Sequence, residues 1–193
     1  MIRNNLRYSI IEGSFFALMF GLGENYLSAM AVFMGFTALQ ISILSSLPQL
    51  IGAFAQLLTY KISKLFASMK QFVVILAFIQ AIMWLVLIYL LNTAYTYVGV
   101  LSWAIIYFTI ASIIGPAWIS WMGYIVPIRI RSNYHANRNR IIHSIIFISI
   151  MAGGGILKLY ENDMIFAFTV MFSIGVFGRL ISSYFLNKKE EKN

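Results

Sequence analysis

The chain has no cysteine, so no disulfide framework and no thiolate metal or nucleophile site is open to it. It has two histidines, His135 and His143, at a spacing that supports no ligand set, which argues against a metal centre. Six carboxylates among 193 residues leave little for general acid–base chemistry. No H-E-x-x-H or G-x-S-x-G string occurs, and no two carboxylates stand close together within an apolar run, so an enzyme is not expected and no catalytic residue is assigned. No G-x-x-x-x-G-K-[ST] string occurs either, which removes a phosphate-binding loop for ATP, and no cofactor is implied. Charged residues make up only 10% of the chain, where an ordinary soluble domain has about a quarter.

Apolar length fills that space. Hydrophobic residues are 61% of the sequence and aromatics 16%. Six apolar runs are read as membrane helices, over about 8–34, 38–60, 71–91, 95–126, 141–159 and 164–186. The first is too long for a signal peptide's core and carries two carboxylates, so it is read as a retained helix. The expected fold is all-α: one six-helix transmembrane domain over residues 1–193, with residues 187–193 (NKKEEKN) as a charged cytoplasmic tail. The fourth run exceeds the ~20 residues that a bilayer core requires, so tilt or an emerging end is expected.

The net charge of +8 would suit nucleic acid only if the cations shared a face, and they do not. Arg3, Arg7, Lys61, Lys64, Lys70, Arg129, Arg131, Arg138, Arg140, Lys188, Lys189 and Lys192 fall on one side of the runs, against Lys158 on the other. The positive-inside rule then places both termini in the cytoplasm, in a multi-pass protein of the cytoplasmic membrane whose surroundings are lipid.

The stretch from Gly115 to Ile141, GPAWISWMGYIVPIRIRSNYHANRNRI, reads as the end of one span, a short cationic loop and the start of the next. Pro127 lacks an N–H and pushes Val126 away from helical geometry, so the span should end there. Pro116, Trp118, Trp121, Val126, Pro127, Arg131, Tyr134, Arg138 and Arg140 form a pattern that resembles the loop between helices four and five in one bacterial branch of the major facilitator superfamily. There the string reads approximately W-x-x-D-x-V-P, a spacer, then R-G-x-Y-F-G and arginine. Tyr124 stands in the aspartate's place, Ser132 in the glycine's, and His135-Ala136 in that of Phe-Gly. The superfamily's usual G-x-x-x-D-x-x-G-R-[RK] motif between helices two and three is replaced by YKISKLFASMKQ.

The resemblance implies the amino-terminal half of a twelve-helix transporter, built from 3+3 inverted repeats, with the solute site between two halves. It implies secondary active transport of a small solute by alternating access, by a half-transporter or a truncated member. The partner would be a second copy of this chain or a separate second half. The alternative from another class is a non-transporting membrane scaffold or assembly subunit.

Polar groups inside the runs are the candidate sites, because hydrocarbon makes them expensive. Glu24 and Asn25 lie close to the middle of the first run, Glu24 ~4.5 Å past its midpoint. They are read either as a cavity-lining substrate or proton-coupling pair or as a structural tie. Gln49, Gln56, Trp103 and Tyr107 join them as substrate or coupling candidates, the last two facing either a cavity or lipid. Glu12 is expected to pair with a loop arginine or with Arg179, for which it is a better match in depth than Glu24 is. Trp118 and Trp121 are expected in an interfacial belt. Pro48 and Pro116 can bend their helices, and glycines 13, 21, 23 and 153–155 allow close packing or bending. Pro116, Trp118, Pro127, Arg131, Arg138, Arg140 and Arg179 complete the structural or gating candidates with Glu12.

Overall fold

The computed structural model describes residues 2–93 and 96–190. Tyr95, where the fourth run was set to begin, and residues 191–193 of the tail, Lys192 among them, lie outside that range. Eight α-helices follow in order: α1 (Ile2–Leu22), α2 (Leu27–Phe33), α3 (Ala38–Gln56), α4 (Thr59–Ser63), α5 (Met69–Thr93), α6 (Tyr97–Ile125), α7 (Ile128–Leu159) and α8 (Met164–Asn187). A single 3-10 turn, Glu24–Tyr26, separates α1 from α2. Taken together, α1 and α2 make one span, and α3, α5, α6, α7 and α8 make five more, each long and apolar enough to cross a bilayer. Among the described residues there is no strand. The chain is an all-helical, multi-pass membrane protein.

Local chemistry sets the helix ends. At α3, Thr37 accepts from the Gln40 N–H while the Gln40 side chain takes the Thr37 N–H, a reciprocal cap that satisfies two otherwise unpaired donors. Ser68 and Gln71 serve the start of α5 in a similar way. Asp163 caps α8 through the Phe166 N–H at 3.0 Å. Gly35, at φ +77°, makes the turn into α3 that a side chain would strain.

The helices pack in an open series, α7 on α1, α1 on α8, α8 on α5, α5 on α6 and α6 on α3. The middle member, α8, is the most enclosed, and the end members α3 and α7 are the least. One apolar core gathers around Trp84, Tyr107, Met19, Met171 and Phe172, and another around Phe72, Ala117, Trp121 and Met122. Small residues let the backbones close. A Cβ at Gly178 would sit 2.9 Å from the Phe15 carbonyl where α8 crosses α1, and one at Gly21 would strike Ser149 where α1 crosses α7. At these crossings the glycines serve packing. Gly155, by contrast, faces open space.

Several expectations are corrected. Span six does end at the tail, but the tail is not simply solvated: Lys189 is fully buried. Residues 127–140 are not a loop. The preceding helix does end where Pro127 requires, with Val126 at φ −89°, ψ 118°, but Pro127 then serves as the N-cap of α7, which begins at Ile128 and continues unbroken through Arg140. The segment is polar but contains no glycine or proline after 127. Arg131, Tyr134, Arg138 and Ile142 share one helical face, which lies against α6 and α1. The first span is not one helix but two, broken near its middle. The second span ends at Gln56 rather than Tyr60, and α4 follows as a separate short helix.

Packing at Gly178 gives a direct test. Gly178→Ala should lower the melting temperature of the purified protein in detergent, by about 1–3 kcal/mol of stability as overpacking generally does. Gly155→Ala should leave it unchanged or raise it. Equal losses for both would rule out close approach as the role of Gly178.

Candidate functional site

The break in the first span lies in GLGENY. Gly23 takes φ −104°, ψ −81°, and Tyr26 takes φ −102°, ψ 1°, so the helix stops, turns through one 3-10 step and restarts. Broken backbone at membrane depth must find substitutes for its lost hydrogen bonds. Here the Asn25 side-chain amide donates to the Phe20 carbonyl at 2.9 Å, and the Tyr26 N–H donates to the Gly23 carbonyl at 2.9 Å. The Tyr26 hydroxyl donates to the Ile150 carbonyl of α7, with its ring lying over Gly153. The Trp84 ring packs on Gly23, where a Cβ would meet it at 2.6 Å. Asn25 is therefore a backbone tie and its side chain is exposed.

Glu24 sits on the turn itself. Its Oε1 accepts from the Tyr107 hydroxyl at 2.7 Å, which joins two residues that sequence reading singled out separately. Trp103 stacks on Tyr107 with ring centroids 5.0 Å apart and 14° between planes, and Trp84 meets both edge-on. Trp103 and Tyr107 thus face inward, not lipid. Glu24, Ser28, Ser45, Gln49, Trp103 and Phe108 line a cavity of about 140 Å³ between the first span, α3 and α6. Gln49 belongs to this site; Gln56 is exposed at the end of α3 and lines neither this cavity nor the larger one below.

A second constellation lies toward the other end of α1. Glu12 is 3% exposed, and its Oε1 accepts from Arg138 Nη2 at 3.0 Å, Lys189 Nζ at 3.1 Å and Trp118 Nε1 at 3.2 Å. Arg138 also donates from Nε to the Ser9 carbonyl at 3.1 Å and lies over the Trp118 ring, 4.3 Å from its centre. A Cβ on Gly13 would collide with that guanidinium, so the glycine makes room for it. Lys189 reaches in from beyond α8 and contacts Met122 Sδ and the Trp121 ring. Asn5 holds the tail in place, exchanging two 3.0 Å hydrogen bonds with the Glu190 backbone. Burial pushes the Lys189 ammonium below the ordinary lysine pKa, while Glu12 pulls it back up.

The expected pairing of Glu12 with Arg179 is therefore corrected: Glu12 pairs with Arg138, the loop-arginine option. Arg179 instead donates from Nε (3.0 Å) and Nη2 to Gln80 Oε1 of α5, and from Nη1 to Ser182 Oγ at 3.2 Å. The interfacial belt is also corrected. Trp121 is in the core, with Lys189 over its ring, and Trp118 is half-buried against Arg138, its indole N–H donating to Glu12.

Arg131 caps the end of α6, its guanidinium donating to the Gly123 and Val126 carbonyls. Arg140 is exposed and reaches only Asn137 of its own helix, at 2.8 Å. Pro116 lies inside α6 beside Gly115, which lines the larger cavity described below. Lys189, Gln80 and Tyr26 were not foreseen as site residues. Gln80 carried a signal, a lone amide in mid-helix among apolar residues. Among the described residues no group of three His, Asp or Glu side chains comes together as a metal would require.

No family model matches the chain, and no curated protein or solved structure is significantly similar to it.

The forked donors of Arg138 make its replacement diagnostic. Arg138→Lys keeps the charge but cannot serve both Ser9 and Glu12, and should cost about 1–3 kcal/mol, seen as a lower melting temperature. Arg140→Lys should have no measurable effect. A tolerated Arg138→Lys would mean that charge alone holds α7 to α1.

Proposed function

We propose that this protein is a secondary active transporter of a small solute, acting as one six-helix half of an alternating-access carrier in the cytoplasmic membrane. The observation that carries the reading is the broken first span. Transporters build their sites near the midplane from discontinuous helices, where freed backbone and a buried ionisable group meet a cavity. Here the break presents Glu24 to a cavity between the first span, α3 and α6, with Tyr107 as its hydrogen-bond donor. A carboxylate in that position suits proton coupling, since a proton can be taken up facing one side and released facing the other.

The helix pairings support a 3+3 repeat. Exchanging α1 with α6, α3 with α7 and α5 with α8 maps the main pairings onto themselves: α1 on α7 answers α6 on α3, and α1 on α8 answers α6 on α5. This agrees with the resemblance to the major facilitator superfamily and with its inverted repeats. In such a carrier a second six-helix unit completes the pathway. Large apolar side chains of α6 and α7 left exposed, Ile106, Ile119, Phe147 and Met151 among them, suit that contact or lipid.

Orientation follows from the cations and is checked by exploiting the absence of cysteine. Single cysteines at the exposed positions Lys64, Arg129 and Glu161 are treated with a membrane-impermeant maleimide on whole cells. Glu161→Cys should label at once, and Lys64→Cys and Arg129→Cys only after permeabilisation. The reverse pattern would overturn the orientation.

The transport reading is tested in proteoliposomes loaded with a pH-sensitive dye and offered a panel of sugars, amino acids, organic cations and organic anions. At least one solute should move protons with the unmodified protein. With Glu24→Gln the same solute should still exchange across the membrane but neither move protons nor accumulate. Accumulation undiminished in the variant would remove Glu24 from coupling. No solute-driven flux from particles that native mass shows to hold two six-helix units would sink transport in favour of a non-transporting assembly role.

A further inference from the structure

A second cavity is larger than the one beside Glu24. It measures about 330 Å³ and lies between α1, α5, α6, α7 and α8. That is within the range of small-molecule sites, roughly 300–1,000 Å³. Its walls are mostly apolar, with Phe16, Val73, Ile114 and Ile142 among them, and two guanidinium groups, Arg138 and Arg179, line it.

Among the described residues, the charges around this cavity do not balance. Arg138, Arg179 and Lys189 bring three cations, all buried, and Glu12 brings one carboxylate. Glu12 already serves Arg138 and Lys189, at 3.0 and 3.1 Å. Arg179, 3% exposed, has no carboxylate within ion-pair distance among the described residues. Gln80 and Ser182 occupy three of its N–H groups, and Phe16 lies 5.1 Å below it, but neutral partners satisfy hydrogen bonds without cancelling charge. A buried cation held in that way is costly unless an anion joins it.

We infer that this cavity is a binding site for an amphipathic organic anion, with a carboxylate or phosphate head between Arg179 and Arg138 and an apolar body along the α1, α5 and α6 wall. Arginine suits the role because its fork presents parallel donors to either head group. Trp118 holds Arg138 in place from one side, and Gln80 holds Arg179 from the other, so both donors are set before the ligand arrives. The site does not depend on the transport reading. It is a matter of equilibrium binding, so either can fail while the other stands.

The probe is radiolabelled benzoate, with binding measured on the full chain in nanodiscs of phosphatidylcholine. Saturable binding is expected, displaced by phenyl phosphate and not by benzylamine or benzyl alcohol, which keep the ring but change or remove the charge. Arg179→Gln should weaken it at least tenfold. Since a buried arginine also bears on folding, a second variant approaches from the cavity. A Cβ at Gly115 meets nothing within 4 Å and the residue lines the cavity, so Gly115→Leu points its side chain into that space and should abolish binding at an unchanged melting temperature. Arg140→Gln, exposed and outside the cavity, should bind like the unmodified protein. Replacing part of the phosphatidylcholine with phosphatidylglycerol then separates the sources of the head group. Competition by the anionic lipid assigns the site to lipid, and unchanged affinity assigns it to a soluble anion. No saturable benzoate binding in phosphatidylcholine, equal binding of benzylamine, or full binding by both Arg179→Gln and Gly115→Leu would overturn the inference.

Discussion

A single carboxylate oxygen, Oε1 of Glu12, joins four parts of the chain. It draws α1, α6, α7 and the segment after α8 to one point through Arg138, Trp118 and Lys189. Glu12, Arg138 and Lys189 are buried within the protein, so each is tied to the others by the cost of having no partner. Removing one member leaves the rest charged and buried. The oxygen has to be reached from three directions, which fixes how far α7 slides along α1 and where the tail folds back. The half-buried Trp118, the collision space kept open at Gly13 and the fully buried Lys189 all follow from that requirement.

The two polar centres of the first span differ in kind. Around Glu12, donors outnumber what one oxygen can take, and the helix stays regular. Around Glu24, one hydroxyl donor faces one carboxylate, and the backbone itself gives way. The first arrangement holds elements together and the second leaves a charged group with few ties beside empty space. A regular half and a broken half thus share one span, divided at Gly23. Their separation explains why a glycine-rich stretch serves packing at Gly21 and breakage two residues later.

The six spans were legible in the sequence because a bilayer imposes a length and an apolarity that few other settings demand. The end of α6 was legible for a local reason, since Pro127 constrains Val126 whatever surrounds it. The start of α7 was not. Thirteen residues with four arginines look like a loop by polarity, and only the arrangement of Arg131, Tyr134, Arg138 and Ile142 on one face tells of a helix lying on a neighbour. Lys189 was hidden in the same way, in a string of charges that reads as solvated. Glu24 and Tyr107 were each visible as polar groups in apolar runs, but their contact was not, because 83 residues separate them. Arg179 was assigned by depth to Glu12, yet depth says nothing of which helices are neighbours. Gln80 on α5 was nearer.

The wiring of Glu12 also sets a timetable for biogenesis. Its partners lie 126 and 177 residues further along the chain. At a synthesis rate of about 5–20 residues per second, they emerge from the ribosome roughly 6 to 35 seconds after Glu12 does. Until Arg138 emerges, Glu12 lacks both of its charged partners, and the first span is the least apolar of the six. Only when the segment after α8 has been made can Lys189 close the cluster.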